Sequence, residues 1–156
     1  LAHEELVNLE GTFLPVTTPF DSVTGDVDYA AFGANLRRWF GSPIRGILIG
    51  GSTGESVFLD EGERSKLIEE ARVVIPNEAL VIAGTGSEAT RHTIQLTQQA
   101  ASAGADAVLV SPPAYFKGAM TQETLTSHYR AVADASPVPV LIYQVPLRLS
   151  TIEFST

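Results

Sequence analysis

The chain has 156 residues, 44% of them hydrophobic, enough for one globular domain that buries about 70% of its extended surface. Its formal charge of −8, with the basic residues scattered singly, lacks the positive footprint that a phosphate backbone or an anionic membrane demands, which argues against nucleic acid and membrane as partners. Disulfides, thiolate metal sites and cysteine nucleophiles fall away with the absence of cysteine, no apolar run approaches the ~20 residues that span a bilayer, and "LAHEELVNLEG" has no basic head before an apolar core; a cytoplasmic enzyme is the expectation.

In chain order, residues 13–16 form the first short apolar run and predict a strand. Tyr29, Phe32, Leu36 and Trp39 follow on one helical stripe. A second continuous apolar run, 46–50, ends in a loop of Gly, Ser, Thr and Glu. Asp60 with Glu63 three residues on has the pattern of a capping box, opening a helix whose inner stripe is Leu67, Ala71, Val74 and Ile75. Residues 80–83 predict the third strand, and Gly104 stands where a left-handed C-cap would close the helix after it. A fourth strand is expected at 107–110, then a helix capped by Thr121 with Leu125, Tyr129 and Val132 facing inward, then a fifth strand at 138–142. Each run is continuous rather than alternating, as in strands covered on both faces.

Strict strand–helix alternation selects a parallel sheet, either a doubly wound open sheet or a (β/α) barrel. In both, ligands meet the loops after the carboxyl ends of the strands. Those loops read "GGSTGES", "GTGSEAT", "SPPAYFKG" and "YQVPLR", with small hydroxyl residues, glycines and tyrosines recurring at one structural phase. No linker, low-complexity segment or charge block interrupts the pattern, so residues 1–156 read as a single domain without internal boundary.

The loop after the second run satisfies G-x-S-x-G at Gly50, Ser52 and Gly54, the pattern of a serine nucleophile elbow. An elbow needs its helix directly behind the serine, whereas the best helix start here is Asp60, after the extended "ESVFL". Nor is there an evident acid for His92, and His128 reads as a helix-surface or packing residue. A phosphate-binding loop would need a lysine after the glycines, and none follows.

The ordered set "GTFLPVTTPF", "GGSTGES", "SPPAYF" and "YQVPLR" resembles the dihydrodipicolinate synthase/N-acetylneuraminate lyase family of class I aldolases over nearly the whole chain. The resemblance implies a (β/α)8 TIM barrel, of which this chain covers about the first five strands, and a reaction in which pyruvate is condensed with an aldehyde, or the reverse cleavage, through a lysine Schiff base. It implies no cofactor and no metal, only small-molecule partners, and a homo-oligomer, tetramer or dimer.

By the same resemblance Tyr143 is the proton shuttle. A tyrosine hydroxyl, with an ordinary pKa of about 10, needs relay partners, and Ser52 and Tyr115 match those positions, Tyr115 being expected to reach into a neighbouring subunit. Thr53 with the loop amides matches the site for the pyruvate carboxylate, and Arg148 matches the arginine that meets an acid group on the incoming aldehyde. Taken singly, each has a plainer reading: Tyr143 a rim aromatic, Ser52 and Thr53 turn formers, Tyr115 a loop anchor, Arg148 a solvated charge, Glu55 an acceptor bracing its loop.

The imine-forming amine is missing from the pattern. Of the two lysines, Lys66 sits with Glu63 and Glu70 at pairing distance on a helix surface, and Lys117 lies in a loop that reads as exposed; the family places its lysine on the sixth strand. The chain, opening on Leu1, therefore reads as the N-terminal portion of an enzyme and as inactive alone. "YQVPLR" favours a dihydrodipicolinate synthase-like enzyme, whereas "YFKGAM" looks more like the 4-hydroxy-2-oxoglutarate aldolase branch, or another 2-keto-3-deoxy acid aldolase, and Ser52 also departs from the synthase pattern. A non-catalytic barrel fragment is the alternative of another class.

Overall fold

The computed structural model describes residues 7–144. Five strands, β1 (Phe13–Pro15), β2 (Gly46–Ile49), β3 (Leu80–Gly84), β4 (Ala107–Val110) and β5 (Val140–Ile142), form one sheet in the order β1-β2-β3-β4-β5, every neighbouring pair parallel. Between them run α1 (Tyr29–Trp39), α2 (Glu61–Val74), α3 (Thr90–Ser102) and α4 (Gln122–Ala135). A doubly wound sheet reverses direction at a switch point. Here each crossover advances one strand the same way, the progression that closes into a barrel.

Local chemistry explains where the helices start and stop. Asp28 caps α1 by accepting from the Ala31 amide at 2.9 Å. Asp60 and Glu63 form the reciprocal box at α2, at 2.7 and 2.9 Å, and Thr121 accepts from the Thr124 amide at α4. Gly104, with φ 108°, turns the chain out of α3 as expected. The fifth strand starts later than the sequence suggested. Pro139 has no N–H to give the ladder, although its carbonyl still accepts from Val108, so regular pairing begins at Val140.

Residue parity sorts the sheet into two faces. Ile47, Ile49, Val81, Ala83, Val108 and Val110 are buried and join Phe32, Leu36, Leu67, Ile68, Ala71, Leu125, Tyr129 and Val132 in one core between sheet and helices. The alternate residues Pro15, Leu48 and Leu109 turn to the other face and line a cleft. Tyr143 follows Leu141 by two and so shares that inner face.

At the amino ends of the strands Arg72 bridges three elements. Its guanidinium donates to Gly104 O at 2.7 Å and Ala79 O at 2.9 Å and pairs with Asp106. The Asp106 carboxylate also accepts from the Val81 amide at 2.7 Å. β4 begins one residue later, so this side chain supplies the acceptor that a longer β4 backbone would have given.

Candidate active site

The cleft lies at the carboxyl end of the sheet and holds about 220 Å³. Ser52, Thr53 and Tyr143 all line it, joined by Ser56, Arg64 and Ser111. Two glycines let β2 and β3 close its floor: Gly50 takes a left-handed φ of 69°, and a Cβ on Gly84 would collide with the Gly50 carbonyl.

The loop after β2 is built from short-range backbone bonds. Gly54 N donates to Gly51 O at 3.1 Å, Glu55 N to Ser52 O at 3.2 Å, and Phe58 N to Glu55 O at 2.9 Å. Glu55 makes this turn in the left-handed region, φ 54°, uncommon for a residue with a long side chain. It therefore braces the loop through its backbone, with its side chain exposed. From outside, the buried Thr18 hydroxyl donates to Gly54 O at 2.7 Å, tying the loop to the segment after β1. A 3-10 turn, Ser56–Phe58, separates Ser52 from α2, so Ser52 has no helix directly behind it and the nucleophile-elbow geometry is absent.

Tyr143 is half-buried, and its amide donates to Val110 O at 2.9 Å, carrying the β4–β5 ladder one residue past the strand. Tyr115 does not line this cleft. It is 79% exposed, edge-to-face with Phe116 at 4.8 Å between ring centres. Its loop is nevertheless held: the Glu88 carboxylate accepts from the Ala114 and Tyr115 amides at 3.0 and 2.9 Å. Arg148 lies outside the described residues.

His92 does have an acid. Its Nε2 is 2.9 Å from Glu61 Oε1, 31 residues upstream on α2, and its Nδ1 is 2.9 Å from Ser87 Oγ. The Gln95 and Gln99 amides also donate to Glu61, and the Gln99 bond, then His92, hold its carboxyl below the usual range. None of Ser87, His92 and Glu61 lines the cleft; they join α2 to α3. His128 is buried, its Nδ1 2.9 Å from Thr90 Oγ1, and burial lowers its pKa. It is thus a packing residue rather than a surface one.

Neither lysine lines the cleft. Lys66 stands 4.1 Å over the Tyr29 ring, a cation–π contact in place of the expected Glu63 and Glu70 pairing. Lys117 begins an exposed 3-10 turn, Lys117–Ala119.

Arg64 is the charged cleft residue that sequence reasoning missed, along with Ser56 and Ser111. It is half-buried on α2, donating Nη2 to Ser56 O at 2.6 Å and Nε to Leu59 O at 3.4 Å. Burial depresses its pKa and the Glu61 charge opposes that, leaving a guanidinium that stays protonated at neutral pH. Nothing in the local pattern signals bonds to backbone carbonyls of the preceding loop.

Residues 8–154 match the model of the dihydrodipicolinate synthetase family. Among curated relatives, a probable mitochondrial 4-hydroxy-2-oxoglutarate aldolase of Emericella nidulans is 42% identical over 140 residues, covering 87% of this chain and 45% of the relative. A 4-hydroxy-tetrahydrodipicolinate synthase of Fervidobacterium nodosum is 38% identical over 138 residues, covering 88% of this chain and 46% of the relative. The crystal structure of dihydrodipicolinate synthase from Aquifex aeolicus superposes with a TM-score of 0.80 at 39% identity, over 89% of this chain and 46% of that one. The chain thus spans about half the length of the curated relatives it matches, and its five parallel strands correspond to the first part of a (β/α)8 barrel.

Proposed function

The chain belongs to the dihydrodipicolinate synthetase family, and from that premise we propose that the protein carrying it is a lyase of aldolase type, joining pyruvate to an aldehyde or cleaving a 2-oxo acid through a lysine imine. Residues 1–156 would be the N-terminal part of a single barrel domain. The observation that carries the proposal is the convergence of Ser52, Thr53 and Tyr143 on one cleft at the carboxyl ends of the strands, where barrels of this kind place their chemistry.

In this reading the Thr53 hydroxyl and the amides of the Gly51–Ser52 turn hold the pyruvate carboxylate. An amine attacks the keto carbon, and water leaves as the imine forms. Neither Lys66 nor Lys117 faces the cleft, so the amine comes from outside these 156 residues. The protonated imine loses a methyl proton to the Tyr143–Ser52 relay and becomes an enamine, whose carbon bonds to the aldehyde carbon as the C=O π bond breaks; the relay then returns the proton to the alkoxide oxygen. Tyr115 completes the relay from a second subunit: its exposed ring beside Phe116 supports a homo-oligomer, dimer or tetramer, in which these aromatics are covered. Arg148 receives the acid group of the aldehyde. The proposal includes a cytoplasmic location; among the described residues no helix is long and apolar enough to cross a membrane.

The dihydrodipicolinate synthase-like reaction is the principal reading. The 42% identity to a probable 4-hydroxy-2-oxoglutarate aldolase favours that activity as the second. Incubating the complete protein with pyruvate and borohydride tests the common chemistry: one pyruvate adduct per subunit, on neither Lys66 nor Lys117, is expected. An adduct on Lys117 would make that loop lysine the nucleophile and overturn the assignment. Steady-state rates with each aldehyde then separate the two activities.

A further inference from the structure

Arg64 is the only charged residue among the described ones that line the cleft. It also stands at an unfavourable place for its own helix. In the first turn of α2 a cation faces the positive end of the helix dipole, so helix stability does not explain it. Its bonds do: Nη2 to Ser56 O at 2.6 Å and Nε to Leu59 O at 3.4 Å. One planar fork thereby grips both ends of the 3-10 turn Ser56–Phe58, which connects the Ser52–Thr53 loop to α2. An ammonium could balance the charge, but it has no rigid fork to fix two carbonyls relative to each other. The guanidinium has five N–H donors, so these two bonds leave others unspent. It adds positive charge to a cleft otherwise lined by neutral residues, in a chain of formal charge −8.

We infer that Arg64 is a positioning residue for the carboxylate-binding loop, clamping residues 52–59 so that the Thr53 hydroxyl and the loop amides converge on pyruvate. This rests on the reading of the Ser52–Thr53 loop as the pyruvate site. The aldehyde, met by residues after β5, does not depend on the clamp. Arg64 thus separates the two substrates: its removal acts on one Michaelis constant and spares the other.

The test compares Arg64→Lys and Arg64→Met in the complete enzyme, measuring KM for pyruvate, KM for the aldehyde, kcat, thermal midpoint and amide exchange over residues 54–59. Both variants are expected to raise the pyruvate KM roughly ten- to a hundredfold, the effect of losing a charge-assisted hydrogen bond, with the aldehyde KM within about twofold of wild type. Amide exchange in the loop should quicken at least tenfold in Arg64→Lys, which keeps the charge and so remains informative if Arg64→Met does not fold. A lysine variant with wild-type pyruvate KM and exchange overturns the clamp. A lowered thermal midpoint with unchanged pyruvate KM in either variant also overturns it, leaving a structural brace. Failure of the wild-type enzyme to form any borohydride-trapped pyruvate adduct would instead overturn the proposed function beneath it.

Discussion

Replacing Asp106 separates what its carboxylate does as an acceptor from what it does as a charge. The acceptor serves the Val81 amide at 2.7 Å, and Val81 is fully buried, so alanine leaves an N–H with no water to turn to, a loss of about 1–3 kcal/mol. The charge serves Arg72, in a pair whose side chains are 25% and 31% exposed. At that exposure solvent screens the attraction to about 1 kcal/mol, while Arg72 keeps its bonds to Gly104 O and Ala79 O. Asp106→Ala should therefore destabilise by about 2–4 kcal/mol, and Asp106→Asn, which still offers an oxygen to Val81, by about 1 kcal/mol. At about 2–4 °C per kcal/mol for a domain of this size or larger, thermal midpoints of the complete protein should fall by roughly 4–16 °C and 2–4 °C respectively. Because Asp106 sits at the end of the sheet away from the cleft, turnover of the surviving folded enzyme should match wild type. Equal losses in the two variants would show that the Val81 bond contributes nothing, and no loss in either would refute the whole accounting.

Tyr143→Phe removes the hydroxyl proposed as the proton relay and should lower kcat roughly a hundredfold or more; near-normal turnover would remove Tyr143 from the mechanism. Arg148→Ala should raise KM for an acidic aldehyde with little effect on pyruvate, and equal effects on both would reject its role. Stability should fall as pH drops below about 6.5, because burial lowers the His128 pKa in the folded state while the unfolded chain takes up the proton at its ordinary value. The His128 contribution is complete above that pH and is lost toward the depressed folded value. His128→Gln should flatten the fall in thermal midpoint over this range, and an unchanged pH profile would show that His128 does not govern it.

Features set by neighbours along the chain were legible in the sequence. The Asp60–Glu63 box, the turn at Gly104, the Thr121 cap and the inward set Leu125, Tyr129 and Val132 each depend on residues within one or two helical turns. Strand existence was equally plain from continuous apolar runs, and the position of Tyr143 on the inner face follows from counting by two along β5. What escaped depends on distance through space. The acid for His92 is Glu61, which only the packing of α2 against α3 brings near. Lys66 pairs with the Tyr29 ring because α1 lies alongside α2. Arg64 reads as one more charge on an amphipathic helix until the loop before it folds back over its guanidinium.

The site loops share a construction that bears on what their own side chains are free to do. Each is fixed by a side chain from elsewhere bonding to its backbone: Thr18 to Gly54 O, Arg64 to Ser56 O and Leu59 O, Glu88 to the amides of Ala114 and Tyr115. A loop held through its own hydroxyls would have to break those bonds before they could meet a ligand, losing about 1 kcal/mol for each exchanged. Here the holding groups and the presented groups are different residues. Among the described residues no hydrogen bond engages the hydroxyl of Ser52, Thr53 or Tyr143, so all three stay available on the cleft without loosening its frame. Preorganisation of this kind favours an oxyanion or a carboxylate because the donors need not reorient when charge arrives. The same construction explains why G-x-S-x-G here carries no serine nucleophile: Ser52 is presented as a donor on a braced loop, with no base beside it.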